Sequence, residues 1–121
     1  PRGEPTLPLL VIGLASPIEV ILDSGFSGAL CLSQRHVDAL RLQEVGVEWY
    51  ELGDGTLVKR PVYLTAVVWL AAPMTVRTIA TVSADSMIGA RMLAGCVVTL
   101  DYAGGTLRVV PRSPPSVTDN L

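Results

Sequence analysis

The chain has 121 residues, of which half are apolar and 17% are charged, a balance typical of one compact folded domain with a dense core. Its formal net charge of −2 and its lack of a Lys/Arg cluster argue against nucleic acid as a partner. The longest apolar stretch, residues 65–74, is about half of what a helix needs to cross a bilayer. We therefore expect no membrane partner.

Short β-prone segments broken by glycine and proline dominate the chain, and they predict an all-β barrel or sandwich rather than βαβ units. The first three predicted strands are TLPLLVIGL (6–14), IEVIL (18–22) and ALCLS (29–33). Ser33 suits an N-cap position, and Val37 and Leu40 follow it at helical spacing. One short helix is therefore expected after the third strand.

A β-hairpin is predicted over residues 47–60. The tripeptide Gly53-Asp54-Gly55 is a strong turn signal between two alternating stretches. Taken alone, Asp54 is most simply a turn former. We expect the hairpin to project into solvent.

The second half of the chain continues the β pattern. Two further strands are expected at 62–70 and 74–82, followed by an apolar pair, a glycine and a helical turn within 86–95. Residues 96–110 read as two strands joined by a Gly-Gly turn. This organisation predicts a single domain over residues 1–110 and a flexible, Pro-rich tail over 111–121.

The two cysteines, Cys31 and Cys96, lie in apolar segments, where cysteine usually behaves as a small buried hydrophobe. Two free thiols are therefore expected. One histidine and two distant cysteines do not make a four-ligand zinc site, so neither a metal nor another cofactor is expected. The chain begins at Pro1, which indicates a trimmed piece. We expect a soluble, cytoplasmic protein, and an upstream targeting segment stays open.

Residues 21–28, ILDSGFSG, contain the strongest candidate for chemistry. An Asp before Ser and Gly at a strand end is a common turn, because its side chain bonds the backbone two residues on. The preceding Val-Ile-Leu, however, puts Asp23 at the end of a buried strand. A carboxylate there costs several kcal/mol of desolvation unless it is paired or protonated. That cost favours a functional role for Asp23.

Three segments together resemble the retropepsin-like aspartic proteases, and more closely the small bacterial members of that clan: ILDSGFSGALCLS, ELGDGTLVKRPVYLTAVVW and MIGARMLAGCVVTLDYAGGTLRV. The resemblance covers roughly residues 7–110. It implies a retropepsin-like closed β-barrel with one or two short helices that forms a symmetric homodimer. It also implies an aspartic endopeptidase that cleaves peptide or protein substrates, with Asp23 as its catalytic residue.

The chemistry of such an enzyme requires two carboxylates that share one proton, so that one activates water while the other protonates the carbonyl oxygen. The chain has one such triplet, so a second copy would supply the second Asp23 across a two-fold axis. By the resemblance, Ser24 would brace the two loops through a hydrogen bond across the interface. Gly25 has no side chain, which lets backbone groups and substrate approach the pair closely.

The resemblance also implies a substrate site. Its hairpin would be a flap that closes over an extended peptide through backbone hydrogen bonds. The implied substrate-binding residues are Phe26, Gly53, Asp54, Gly55, Met87, Ile88 and Gly89. The chain departs from many retroviral members at Phe26, where they have a small residue. It also has Ala90 and Arg91 in place of an arginine and an Asn or Asp, so the charged pair that braces the retroviral dimer is absent.

Two rival interpretations remain open. GFSGA nearly matches a nucleophile elbow, but Ala29 replaces the last glycine and the histidine, His36, lies in the next helix rather than late in the chain. Ser27 is therefore expected to be a turn hydroxyl, His36 a solvent-facing residue, and the tryptophans packing anchors. The alternative from another class is a retropepsin-like dimer that binds or regulates with weak or no hydrolysis, because fold alone does not give function.

Overall fold

The computed structural model describes residues 6–112, which form nine strands and two short helices. In chain order these are β1 (Thr6–Val11), β2 (Ile18–Leu22), β3 (Leu30–Ser33), α1 (Gln34–Leu40), β4 (Glu44–Glu51), β5 (Leu57–Trp69), β6 (Ala72–Thr81), β7 (Ser86–Ile88), α2 (Ala90–Leu93), β8 (Cys96–Asp101) and β9 (Thr106–Pro111). The all-β prediction is confirmed. The second hairpin strand and the strand expected at 62–70 form one continuous strand, β5.

The main sheet has seven strands in the order β1-β2-β7-β3-β6-β5-β4. β1 also pairs antiparallel with β5, where Leu10 faces Val68 and Val11 faces Val67. This second pairing bends the sheet into a ring and leaves β4 as an edge strand. The sheet is therefore ring-like, whereas a closed barrel was expected.

β7 determines the position of the Asp23 loop. It lies between β2 and β3, parallel to β2 and antiparallel to β3. Because β7 separates these two strands, the connection between them, residues 23–29, must cross the end of β7. Asp23 therefore lies where β7 meets the glycine that precedes α2.

The core consists of two apolar clusters. The larger one fills the ring, and its most deeply buried members are Leu9, Val11, Val20, Leu30, Leu32, Val67 and Ile88. The smaller one lies beneath the β4–β5 hairpin and consists of Phe26, Cys31, Tyr50, Val62 and Ile79. Strand alternation explains both clusters, since every second side chain of a strand points to the same face.

The two tryptophans differ in burial. Trp69 belongs to the larger cluster, as expected for a packing anchor. Trp49 is 65% exposed, so the same prediction was wrong for it. It neighbours the buried Tyr50 on the edge strand β4, and alternation turns successive side chains to opposite faces. No element of residues 6–112 covers the outer face of β4.

The short helix α1 follows β3 as predicted, but Ser33 does not cap it with its side chain. The Ser33 hydroxyl is instead hydrogen-bonded to His36 Nδ1 at 3.0 Å. His36 is half-buried rather than fully solvent-facing, and burial lowers the pKa of its ring. With 7 residues, α1 is the longest helix of residues 6–112, and none there is long enough to span a membrane.

β8 and β9 form a separate two-stranded sheet, which we call the C-terminal ribbon (Cys96–Pro111). Within residues 6–112, neither strand pairs with the main sheet. Residues 97–101 of β8 are exposed throughout. Pro111, the first residue of the expected flexible tail, belongs to β9, and residues 113–121 lie outside the described part of the chain.

Candidate functional site

Asp23 begins the loop that follows β2. Its N–H donates to the Ile88 carbonyl at 2.9 Å, and its Oδ1 accepts from the Gly25 N–H at 2.9 Å. The second bond is the simple turn that Asp-Ser-Gly favours. Asp23 is partly buried, and its Oδ2 has no hydrogen-bond partner among residues 6–112. One carboxylate oxygen therefore holds the turn, while the other accepts no hydrogen bond from residues 6–112.

The loop over residues 23–29 is fastened to the start of α2. Gly89 N–H donates to the Ala29 carbonyl at 3.0 Å, and Ala90 N–H donates to the Phe26 carbonyl at 2.8 Å. The packing at Gly89 is so tight that an added Cβ would lie 2.5 Å from both Phe26 Cδ2 and the Phe26 carbonyl oxygen. The apolar-Ile-Gly segment therefore supports the Asp23 loop from behind.

The β4–β5 hairpin folds over Asp23. A Cβ added to Gly25 would lie 2.8 Å from the Gly53 Cα, and one added to Gly53 would lie 3.0 Å from Asp23 Oδ2. At its base, Ser27 N–H donates to the Glu51 carbonyl and Glu51 N–H donates to Ser27 Oγ, each at 3.1 Å. The outer side of the tip is exposed, but its inner side rests on Asp23 and leaves no room there for a peptide.

The hairpin tip is a tight turn. Asp54 Oδ1 accepts from the Thr56 N–H at 2.9 Å, and these bonds to Thr56 hold the pKa of the Asp54 carboxyl below its usual value. Gly55 has φ of 85°, in the left-handed region that favours glycine. Asp54 is thus the turn former that the sequence indicates.

A cavity of about 360 Å³ lies beside Asp23, beneath the hairpin. Its apolar lining consists of Phe26, Cys31, Leu52, Val58, Ile79 and Met87. Its charged lining consists of Asp23, Asp54 and Arg60. Burial raises the pKa of the Cys31 thiol to about 11, with the Arg60 charge acting in the opposite direction. The cavity therefore combines a neutral, apolar floor with a few charges.

The structure brings together most of the residues predicted for the site, but not all. Asp23, Phe26, Gly53, Asp54 and Met87 line the cavity, and Gly25 touches the hairpin tip. Three of the predicted substrate-binding residues do not line it: Ile88, Gly89 and Gly55. Ile88 is fully buried in the core and Gly89 lies behind the loop, so both position Asp23 rather than contact a ligand.

Ser24 is exposed and makes no hydrogen bond through its side chain among residues 6–112. Its expected bond lies across a dimer interface, which a single chain does not contain. The hydroxyl is free to form such a bond.

Sequence reasoning missed several lining residues of the cavity, chiefly Cys31, Val58, Arg60 and Ile79. A signal for two of them is present, because Val58 and Arg60 are two residues apart on one strand and so share a face. Cys31 and Ile79 belong to neighbouring strands and face each other in register. That pairing comes from tertiary structure and has no local signal.

Comparisons of the chain with protein-family models, curated proteins and solved structures found no match. Among residues 6–112, no three His, Cys, Asp or Glu side chains lie close enough together to hold a metal ion. Asp23, the hairpin and the cavity are the features of residues 6–112 that bear most directly on function.

Proposed function

We propose that the protein is an aspartic endopeptidase of retropepsin-like fold that acts as a symmetric homodimer, with Asp23 of each copy forming the catalytic pair. One observation carries the proposal: Asp23 is a partly buried carboxylate with one free oxygen, at the edge of an apolar cavity and beneath a glycine hairpin tip. An apolar cavity with a few polar groups suits the side chains of a peptide.

The second acid must come from outside the described chain. Asp54 also lines the cavity, but it is tied to the Thr56 N–H at the hairpin tip and its pKa is lowered. Asp54 is exposed at the tip and would move away with it when the hairpin lifts, so it is poorly suited to pair with Asp23. A second copy supplies an equivalent Asp23.

The C-terminal ribbon supports an interface between copies. A two-stranded hairpin is marginally stable in water unless other elements pack on it, and although Val109 packs against the larger cluster, the ribbon exposes other apolar side chains. Leu100 is 40% exposed and Tyr102 is 83% exposed. A second ribbon packed against the first would cover these side chains and pair the unpaired strand edges. The exposed Ser24 hydroxyl would then brace the two Asp23 loops.

In the dimer, two carboxylates held close together cannot both ionise readily, so the pair retains one proton. The ionised Asp23 takes a proton from a water molecule, whose oxygen attacks the carbonyl carbon. The protonated Asp23 gives its proton to the carbonyl oxygen. As the tetrahedral diol collapses and the C–N bond breaks, the first Asp23 gives the proton it took from water to the leaving nitrogen, and a diol hydroxyl returns a proton to the second Asp23.

The hairpin must lift before any of these steps, because its tip rests on Asp23. A peptide that enters beneath it would then be held by the hairpin backbone and by the apolar lining. The rigid part of the site is the Asp23 loop, which is fastened to α2. The mobile part is the hairpin.

The contact between the hairpin tip and Asp23 also favours a second candidate function, a dimer that binds or regulates without hydrolysis. A hairpin tip packed on Asp23 excludes substrate from the carboxylate, and Oδ1 is already engaged in a turn. If the hairpin lifts only to admit a ligand over the apolar lining, Asp23 remains a structural turn residue. Cleavage assays separate the two candidates.

The decisive experiment compares Asp23→Asn with Asp38→Asn, which makes the same change on the exposed side of helix α1, outside the site. Cleavage of unfolded casein is followed at acidic pH. We expect Asp23→Asn to lose activity by about 100-fold or more, because it removes the acid–base group, and Asp38→Asn to remain active. Residual activity above roughly a tenth of wild type in Asp23→Asn would remove Asp23 from the catalytic role.

Dimer formation is tested by mixing. Excess Asp23→Asn protein added to wild type should suppress activity through mixed dimers that hold one intact carboxylate. Activity proportional to the wild-type protein, together with a monomeric mass in solution, would contradict a pair shared between copies.

A further inference from the structure

Arg60 occupies the inner face of the hairpin strand β5. Alternation along β5 puts it on the same side as Val58, which lines the cavity, and Val62, which is fully buried. Its neighbour Lys59 lies on the opposite, outer face, across from the exposed Trp49. Of these two adjacent cations, Arg60 is therefore the one that lines the cavity.

The Arg60 guanidinium has no ion-pair or hydrogen-bond partner among residues 6–112. Glu48 faces it across the β4–β5 pairing, but the Glu48 carboxylate is bound by the Arg77 guanidinium and by the Tyr50 hydroxyl. The Arg60 charge acts to lower the pKa of the Cys31 thiol, which lines the cavity floor. An unpaired guanidinium therefore borders the same space as Asp23.

Arg60 borders two cavities. The second, of about 310 Å³, is also lined by Gln34, Pro61, Tyr63 and Val82. Ala80 and Thr81 line both cavities with Arg60. A peptide side chain that enters the first cavity would therefore meet the guanidinium in its lining.

We propose that Arg60 is a specificity-determining residue that binds the carboxylate of a glutamate side chain in an extended peptide, close to the position opposite Asp23. This inference rests on the proposed function, because it assumes that the cavity beneath the hairpin binds a peptide. The planar guanidinium matches a carboxylate in a bidentate pair. The apolar lining beside Arg60, including Val58 and Met87, suits the methylene groups of glutamate better than the shorter aspartate.

Two acids, Asp23 and Asp54, border the same cavity and would favour a basic side chain instead. Asp54 already accepts a hydrogen bond from the hairpin backbone, whereas the Arg60 guanidinium has no such partner among residues 6–112. A preference for lysine is therefore the competing outcome of the test.

The test uses the full chain with Asp23→Asn, so that peptides bind without being cleaved. Fluorescently labelled peptides of constant apolar sequence carry Glu, Gln or Lys at one position in turn, and affinity is measured by anisotropy. We expect one position at which Glu binds about five times more tightly than Gln, as for a partly exposed ion pair. The preference should shrink at high salt.

Arg60→Gln should abolish this preference, Arg60→Lys should keep part of it, and Lys59→Gln, on the outer face of the same strand, should leave it unchanged. Arg60 is exposed, so these variants should fold, which circular dichroism checks. An unchanged Glu-to-Gln ratio in Arg60→Gln, or a wild-type preference for Lys, would overturn the inference.

The outcome separates this inference from the proposed function. If Glu peptides bind through Arg60 but the wild type never cleaves them, the inference stands and the proposed protease activity is wrong. If the protein cleaves peptides without any Arg60-dependent preference, the protease activity stands and the inference is wrong. If no peptide binds and none is cleaved, both are wrong.

Discussion

Gly89 provides a direct test of how the Asp23 loop is held. In Gly89→Ala the new Cβ would lie 2.4 Å from the Gly28 carbonyl oxygen and 2.5 Å from Phe26 Cδ2. The backbone at Gly89 is extended, with φ of −115°, so the conformation itself suits alanine and the cost comes from lack of space. Overpacking costs about 1–3 kcal/mol. We expect the upper end, about 3 kcal/mol, because a backbone oxygen cannot rotate away.

The assay is thermal or urea unfolding at a fixed protein concentration. For a domain of this size, about 3 kcal/mol corresponds to a fall in Tm of roughly 12 °C. Activity should fall as well, because the loop must move to admit the methyl group and Asp23 moves with it. Gly46→Ala is the matched control, since a Cβ there meets nothing within 4 Å. Equal stability of the two variants would refute the packing of the loop on α2.

Three further predictions concern other parts of the molecule. Amide hydrogen exchange at residues 52–56 should be fast in the free protein and slow with a bound peptide-like inhibitor, and equal rates would argue against a moving hairpin. Leu100→Lys on the ribbon should dissociate the proposed homodimer in analytical ultracentrifugation, while Trp49→Lys, an equally polar change on the exposed face of β4, should not. Burial raises the pKa of Cys31 from 9.0 to about 11, so the folded state holds this proton more tightly than the unfolded state. The resulting stability is present below pH 9 and is lost as pH rises through about 11. The free-energy difference between wild type and Cys31→Ala should therefore change by about 2 kcal/mol between pH 9 and 11, and a constant difference would contradict this.

Local pattern was enough to predict most of the secondary structure. Alternation of apolar residues, with glycine and proline between the runs, predicted the strands of residues 6–112 other than β7, because those signals act over a few neighbouring residues. β7 was expected only as an apolar pair before a glycine, and β1 ends at Val11 rather than at residue 14. The turn at Gly53-Asp54-Gly55 and the short helix after Ser33 were predictable for the same reason. The association of Asp23 with the hairpin and with Gly89 came from family resemblance, not from local pattern.

Features that depend on strand order could not be predicted. Whether Trp49 is buried depends on β4 being an edge strand, and edge position is set by pairings far apart in sequence. The closure of the sheet through Leu10 and Val68 is equally non-local. Arg60 was missed because the alternation of side chains along a strand does not show which face of that strand borders a cavity. That face is fixed only when β6 pairs with β5 and β3.

Catalysis would depend on two events, peptide binding and the pairing of two Asp23 loops, and the hairpin tip affects both. The Asp23 loop is held by backbone hydrogen bonds on its inner side, toward α2, while Ser24 and Gly25 remain exposed on its outer side. A peptide would reach Asp23 from the cavity, and a second copy would reach it from the exposed side. Gly53 now lies against Asp23, and its Cα lies close to Gly25. Lifting the tip therefore opens the carboxylate to both at once, so peptide binding and pairing of the two Asp23 loops should favour each other.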